Sequence, residues 1–389
     1  MPNTSRRDFL SAGLMLPVAG AASNAGFLQP LESSGEKPSA GKPVKLDHRV
    51  LGKTGLKVTT LSMGCMITSD PSVITRAADL GINYFDTARG YQHGNNERMV
   101  GAALGTKRKQ VVLSTKSDGD DKAKLLAHLD TSLSELKTDY IDIWYLHGKD
   151  NPDHIRDEMI EAQQIARQQG KIRFSGMSTH ALPKMSSWTV DKKAFDVVLV
   201  TYNFSMDPKM DEALAAVAKT GAGIVAMKVM AGGFRNVGPS HPLYPRLHRD
   251  GAILSALKWV LNKPNVHTTI PSMTDMDQLD ENMRVMAEPF AAADEKTLAA
   301  HLEQIRPLYC RMCGQCDGTC AQGLPVAAML RILTYADGYG QFALARERFA
   351  ELPAGHAAVR CGDCGECTVR CPNGVRVAER LGRAQELFA

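Results

Sequence analysis

No apolar run in this 389-residue chain reaches the length needed to cross a bilayer, so no transmembrane span is expected. No block of like charge stands out either. With 46 basic and 42 acidic side chains the formal net charge is +4, which offers nucleic acid no basic surface. None of the strand-like runs opens into G-x-G-x-x-G, and that argues against a Rossmann sheet. Cysteine is nearly absent over most of the length. Cys65 stands alone, and the other eight of the nine crowd into two short runs near the C-terminus. Disulfide frameworks suit small secreted scaffolds, whereas this chain is long enough for a core. Zinc sites prefer paired C-x2-C units with a longer gap, and no histidine sits at finger spacing.

What is present is a globular composition, 44% hydrophobic and 23% charged. The length suits one large domain with a small one, or two to three ordinary domains. The N-terminus departs from this. Ser5-Arg6-Arg7-Asp8-Phe9-Leu10 resembles the twin-arginine export motif. Behind it, Ala12 to Ala25 is a mildly apolar, small-residue stretch with a cleavage region ending at Ala21 or Ala25. Residues 1–25 are read as a twin-arginine signal peptide. It implies the Tat translocase as a partner, export in the folded state with cofactors inserted, and a periplasmic location. A disordered basic tail would instead leave the protein in the cytoplasm. Residues 26–47, dominated at first by Gly, Ser, Pro and Lys, read as a linker.

The two cysteine runs share one spacing. Cys310, Cys313, Cys316 and Cys320 form the first, and Cys361, Cys364, Cys367 and Cys371 the second. Each reads C-x2-C-x2-C-x3-C, the bacterial ferredoxin pattern for a [4Fe–4S] cluster. Two intervening residues let a looping backbone aim successive thiolates at different corners of one cubane. Small neighbours (Gly314, Gly318, Gly362, Gly365) let backbone N–H groups approach the sulfurs. In two-cluster ferredoxins the fourth cysteine ligates the other cluster. That resemblance puts Cys310, Cys313, Cys316 and Cys371 on one cluster and Cys361, Cys364, Cys367 and Cys320 on the second. Pro372 follows the second quartet as in ferredoxins, but Ala321 stands where the first should have proline. The stretch Val326 to Leu352 between them reads as a helical insertion.

From Arg49 onward, apolar runs alternate with helical periods. The runs are Thr59–Met63, Ile82–Asp86, Val111–Lys116, Ile141–His147, Arg173–Ser178, Val197–Asn203, Gly223–Lys228 and His267–Ile270. Helical stretches include Lys122–Leu136, Glu158–Gln169, Asp211–Lys219 and Leu254–Leu261. Strands buried on both faces and separated by helices indicate a parallel sheet. Eight βα units need roughly 250 residues to close a barrel, and Arg49 to about Pro289 supplies them.

Arg49-Val50-Leu51-Gly52-Lys53-Thr54-Gly55-Leu56-Lys57-Val58 resembles the opening hairpin of aldo-keto reductases. Phe85-Asp86-Thr87-Ala88-Arg89-Gly90-Tyr91 is similar to their strand-two signature. Thr138-Asp139-Tyr140-Ile141-Asp142, leading to Leu146-His147-Gly148, and Gly170 to Ser178 match the next two. A subgroup of that family appends a ferredoxin-like segment, as here. Reducing a carbonyl with nicotinamide needs a hydride donor and a proton donor. A free tyrosine, with a pKa of about 10, gives up its proton reluctantly. A lysine ammonium beside it favours the phenolate, a carboxylate keeps that lysine charged, and a histidine orients the carbonyl. The resemblance assigns these roles to Tyr91, Lys116, Asp86 and His147. His93 reads as loop surface, and Cys65 as a small buried thiol.

By the same resemblance, NADP or NAD lies across the barrel mouth. It would touch Ser178, Asn203, the loop Lys228 to Gly233 that includes Gly232, and the segment after Pro271. Ser272 and Gln278 stand where many members carry the lysine and arginine that grip a 2′-phosphate, so two charge-assisted contacts are missing. Asn282 matches an adenine-contacting asparagine. Met227 replaces the aromatic residue that stacks on nicotinamide, and Lys228 beside it reads as a contact to pyrophosphate, to an anionic substrate, or as a plain salt bridge. The loops around Met66 to Pro71 and Phe234 to Pro245 carry no readable substrate code.

The expected fold is α/β, a (β/α)8 TIM barrel over 48–292 followed by a small helical, ferredoxin-like two-cluster domain over 293–389. The expected function is reversible NAD(P)(H)-linked redox chemistry on a small carbonyl or alcohol substrate. It would be coupled to two [4Fe–4S] clusters that exchange electrons with an unknown redox partner. The alternative is an exported iron–sulfur electron-transfer protein whose barrel has kept its tetrad unused.

Overall fold

Each apolar run becomes one strand of a parallel sheet, because strands with both faces covered can afford no polar side. The computed structural model describes residues 45–233, 251–353 and 359–389. The signal, most of the linker and the loop Phe234 to Pro245 lie outside the described residues. An antiparallel hairpin opens the described chain, β1 (His48–Val50) with β2 (Lys57–Thr59). Eight parallel strands follow: β3 (Met63–Gly64), β4 (Tyr84–Asp86), β5 (Val112–Ser117), β6 (Ile141–Leu146), β7 (Ile172–Thr179), β8 (Val197–Thr201), β9 (Gly223–Met227) and β10 (Thr268–Thr269). Each pairs with its chain neighbour, and the bridges Leu61↔Thr269 and Gly64↔Ser272 join the ends. The sheet is therefore a closed (β/α)8 barrel.

The run Thr59–Met63, expected as a single strand, is divided. Thr59 pairs with His48 in the hairpin, whereas the Ser62 N–H donates to the Thr269 carbonyl at 2.8 Å. The chain changes partner within three residues, so only Met63–Gly64 counts as barrel strand.

Helices α1 (Pro71–Asp79), α2 (Asn95–Leu104), α3 (Lys122–Glu135), α4 (Asp157–Gln168), α5 (Leu182–Lys192), α6 (Lys209–Ala218), α7 (Ala252–Leu261) and α8 (Met276–Met283) surround the sheet. Side-chain caps begin several of them, as where Asp121 accepts from the Lys124 N–H. Two apolar shells result. Leu129, Trp144, Leu214 and Leu257 lie between sheet and helices. Leu51, Leu56 and Val58 of the hairpin segment meet Tyr84, Ile143, Tyr145 and Leu199 in the barrel interior. Gly176 makes that interior possible, since a Cβ there would stand 2.4 Å from the Tyr145 ring.

Beyond the barrel, α9 (Ala292–Ile305) packs on α7, where Ser255 Oγ donates to Asp294 at 2.7 Å. It thus straddles the expected boundary at 292/293. The helical insertion forms two helices, α10 (Val326–Asp337) and α11 (Phe342–Ala350), and α12 (Val377–Phe388) ends the chain. Their core is Met329, Leu330, Leu333, Phe349, Leu381 and Ala384. Helix α10 abuts the loop after β9: a Cβ on Gly338 would lie 2.0 Å from the Gly232 carbonyl oxygen. Gly338 has a φ of −94°, so what glycine supplies there is room.

Asp337 fastens α10 to α12 by accepting from Arg380 Nη1 at 2.6 Å and from Arg383 Nη2 at 2.8 Å. The Arg380 and Asp337 side chains are only 3% and 5% exposed. Breaking such a buried pair costs about 3–5 kcal/mol. Asp337→Ala is expected to lower the thermal midpoint and to raise hydrogen exchange first in Val326–Asp337 and Val377–Phe388. An unchanged midpoint would dismiss the pair as a clamp.

Candidate active site

Four of the polar residues singled out by the sequence stand at C-terminal strand ends. Asp86 closes β4, Lys116 lies at the end of β5, His147 just beyond β6, and Ser178 near the end of β7. Tyr91 follows β4 on a loop that the next strand holds in place. The Thr87 and Arg89 N–H groups donate to the Ser114 and Lys116 carbonyls, each at 3.0 Å. The Arg89 guanidinium meets the buried Glu97 carboxylate at 2.6 Å. Gln92 and His93 are both left-handed, at φ 49° and 53°, and Gln92 Nε2 donates to the Thr68 carbonyl at 2.9 Å. His93 points outward toward Glu347, 3.5 Å away.

Lys116 is the centre of the group. Its Nζ donates to Asp86 Oδ2 at 2.5 Å and to the Thr87 carbonyl at 2.6 Å. Ser114 Oγ donates to the other carboxylate oxygen at 2.7 Å. The Tyr91 ring centroid lies 4.8 Å from the same Nζ, and the His147 ring meets that of Tyr91 edge-on at 5.8 Å. Burial works against the Lys116 charge, but Asp86 and Tyr91 outweigh it and hold the ammonium above its usual range. Burial also drives His147 well below its ordinary value, helped by Lys116, so its imidazole is neutral at neutral pH. Lys116 acts on the Tyr91 phenol in the expected direction. It pulls the phenol down, but burial is larger and the net direction is upward. Cys65 is fully buried, and burial followed by the Asp86 charge raises its thiol.

The opposite wall comes from beyond the barrel. Arg331, Tyr335, Tyr339 and Arg348 line the same pocket as Asp86, Tyr91 and His147. Arg331 Nη1 donates to the Tyr335 hydroxyl at 3.0 Å, and Lys228 Nζ lies 4.8 Å from the Tyr335 ring centroid. Reasoning from the barrel signature alone misses Arg331 and Tyr335. The available signal was a lone arginine four residues before a tyrosine on the otherwise apolar start of α10.

Of the residues expected to touch a dinucleotide, Ser178, Lys228, Ser272 and Gln278 line the pocket, and Asn203, Gly232 and Asn282 do not. Asn203 is fully engaged. Its Nδ2 donates to the Lys228 carbonyl at 3.0 Å and to the Tyr309 hydroxyl at 3.1 Å, and its Oδ1 accepts from Ser205. Asn282 is completely buried with neither amide atom hydrogen-bonded. An unsatisfied amide of that kind fits a hydrogen-bonding ligand group such as a purine edge.

The thiols lie beside the α10–α12 core. Cys310 has Cys316, Cys313 and Cys371 as its thiol neighbours, which together with burial push it up to about 12. Cys361 has Cys367, Cys320 and Cys364. Donors approach the sulfurs: Met312 N–H reaches Cys310 Sγ and Asn373 Nδ2 reaches Cys313 Sγ, each at 3.4 Å. The Ala321 N–H donates to Thr368 Oγ1 at 3.2 Å, lacing one run to the other. A proline at 321 has no N–H to make that bond. Among the described residues no three His, Cys, Asp or Glu side chains are placed to hold a metal ion.

Burial raises the Tyr335 phenol, but Lys228 and then Arg331 outweigh it and bring it down to about 7, against an ordinary value of 10. An acid depressed on folding adds stability that is complete above its unfolded value and is lost as pH falls through its folded one. A tyrosinate absorbance titration should therefore show one phenol ionising near pH 7, which Tyr335→Phe removes. The wild type should also gain stability over that variant between about pH 7 and pH 10. A wild-type protein with no tyrosinate below the ordinary phenol range would refute the assignment.

The aldo/keto reductase family model matches residues 69–242. The uncharacterized oxidoreductase YrpG of Bacillus subtilis is 31% identical over 221 residues, 48% of this chain and 68% of that one. The uncharacterized oxidoreductase YqkF of the same organism is 29% identical over 66% of this chain and 88% of its own length. L-galactose dehydrogenase of Arabidopsis thaliana is 28% identical over 68% and 97%. Among solved structures, the holo form of aldo-keto reductase AKR11C1 from Bacillus halodurans aligns with a TM-score of 0.56 at 27% identity, covering 66% of this chain and 96% of that one. The chain thus belongs to the aldo/keto reductase family and is an NAD(P)-dependent oxidoreductase.

Proposed function

We propose that the chain interconverts a small carbonyl and its alcohol at the barrel mouth, with Tyr91 exchanging the proton. The observation that carries this reading is the Lys116 ammonium held between Asp86 and the Tyr91 ring, with a neutral His147 at the edge of that ring. When bound, NAD(P)H would supply hydride to the carbonyl carbon. Tyr91 donates its hydroxyl proton to the carbonyl oxygen, and Lys116 stabilises the phenolate left behind. Asp86 keeps Lys116 charged through the exchange. A His147 N–H donates to the same oxygen and fixes its direction. In the reverse direction the Tyr91 phenolate takes the proton of the alcohol. Ser178, Ser272 and Gln278 would hold the dinucleotide, with Asn282 toward its adenine. Ser272 and Gln278 offer a 2′-phosphate hydrogen bonds without a cation, so these positions set no charge-based choice of NADP over NAD.

Two [4Fe–4S] clusters complete the proposal, on Cys310, Cys313, Cys316 and Cys371 and on Cys361, Cys364, Cys367 and Cys320. The spacing, the thiol neighbourhoods and the sulfur-directed N–H groups support them. A cubane binds each thiolate at a different iron, so its ligands need not converge as those of a single ion do. The clusters would supply single electrons, exchanged with a redox partner. The twin-arginine motif supports export of the folded, loaded protein to the periplasm.

Tyr91→Phe should lower kcat by about 10²- to 10⁴-fold in carbonyl reduction. Full retention would favour the electron-transfer reading with an unused barrel. For the clusters, anaerobic purification should give about eight irons and eight sulfides per chain, and NADH or NADPH should bleach their absorbance. Zinc in place of iron would overturn the cluster reading, and absorbance unmoved by either nucleotide would sever the two halves.

A further inference from the structure

The pocket carries more positive charge than the proton-transfer chemistry uses. Lys116 is answered by Asp86 at 2.5 Å. Arg348 Nη1 donates to both oxygens of Glu351, at 3.0 and 2.8 Å, and His180 pairs with Asp150 at 3.1 Å. Asp118 stands 3.6 Å from His128. Lys228 and Arg331 remain. Among the described residues, neither has a carboxylate within ion-pair distance. Asp150 acts on both from farther away and is already taken by His180. Both act on the Tyr335 phenol, which a single proton neutralises. Two partly buried cations around one phenol, all three lining the pocket, leave a position in which an anion is stabilised by both.

That position is close to the reacting centre. Tyr335 is near enough to Tyr91 to bear on its ionisation, and Arg331 near enough to His147 to do the same. Both project from α10, outside the strand ends that carry Ser178 and Ser272. Met66, Ile67, Val229 and Leu344 supply an apolar part of the lining, which suits the carbon skeleton of a small molecule.

We propose that Lys228, Arg331 and Tyr335 form a carboxylate subsite, so that the natural substrate is a small oxo acid and its product the corresponding hydroxy acid. This rests on the proposed role of Tyr91, which fixes where the carbonyl sits. The guanidinium fork grips the carboxylate from α10, Lys228 approaches from the end of β9, and the Tyr335 hydroxyl donates to it when protonated.

The test compares each acid with a neutral partner of the same shape: pyruvate with 2,3-butanedione, and phenylglyoxylate with 1-phenyl-1,2-propanedione. The wild type should favour the acids in kcat/KM. Arg331→Met should reduce that preference by about 10- to 100-fold, the worth of a charge-assisted hydrogen bond, and Arg331→Lys should restore part of it. Calorimetric titration of the protein with pyruvate and with phenylglyoxylate reads the subsite without turnover. In Tyr91→Phe it should still show binding, so a failed catalytic assignment and a failed subsite are told apart. Arg331→Met should weaken both acids while leaving the Kd for NADH and NADPH nearly unchanged. Equal loss for dinucleotide and acid would overturn the proposal and give the two cations to the pyrophosphate. An unmoved acid preference in Arg331→Met, or no binding of either acid to the wild type, would overturn it as well.

Discussion

A buried ammonium that must stay charged is the constraint around which this barrel mouth is organised. Lys116 is enclosed at the end of β5, where hydration cannot hold its proton. Asp86 supplies the missing field, but a carboxylate there is equally starved of water, so Ser114 and the Lys116 ammonium must satisfy its oxygens in turn. Fixing the Asp86 backbone then matters. Its carbonyl accepts from the Cys65 N–H at 2.8 Å, which binds the end of β4 to the chain just past β3. The Tyr91 loop hangs from the same strands through Thr87 and Arg89. The desolvated charge, its carboxylate and the loop that carries Tyr91 are thus held by the same strand ends.

The pocket contains a second tyrosine–lysine pair with the opposite balance. Both lysines stand 4.8 Å from their ring centroids, yet burial wins at Tyr91 and charge wins at Tyr335. The difference lies in what each lysine already has. The Lys116 charge is offset by Asp86, whose own field raises the Tyr91 phenol. Among the described residues Lys228 has no carboxylate at ion-pair distance, and Arg331 adds to its field. Distance alone would have equated the two sites, and the carboxylate separates them.

The barrel was legible because its signal is redundant. Alternating runs set eight strands, and Asp86, Lys116 and His147 occur at strand ends that periodicity alone locates, with Tyr91 on the loop after one of them. The C-terminal face was less so. Val326 to Leu352 reads as helix from its apolar period, but nothing in that period says that Arg331 and Tyr335 face a pocket whose far wall lies more than two hundred residues earlier in the chain. Asn203 shows the same limit. A strand-end asparagine suggests a ligand contact, whereas Tyr309 and the Lys228 carbonyl use up its hydrogens. Local pattern carries secondary structure and strand-end position. Which groups are already satisfied is a property of the assembled packing.

The contact of Gly338 with the Gly232 carbonyl has a consequence for the order in which the molecule can be made. The barrel closes through the pairing of Leu61 with Thr269, so a nascent chain can complete its sheet before the segments after α8 have been made. Its mouth at that stage lacks the wall carrying Arg331 and Tyr335. That wall arrives later, and it is clamped only when Arg380 and Arg383, which follow it in the chain, reach Asp337. Catalytic tetrad and enclosed pocket are therefore separate stages of biogenesis. A chain interrupted between Asp337 and Arg380 has a complete barrel sheet and a wall without its clamp.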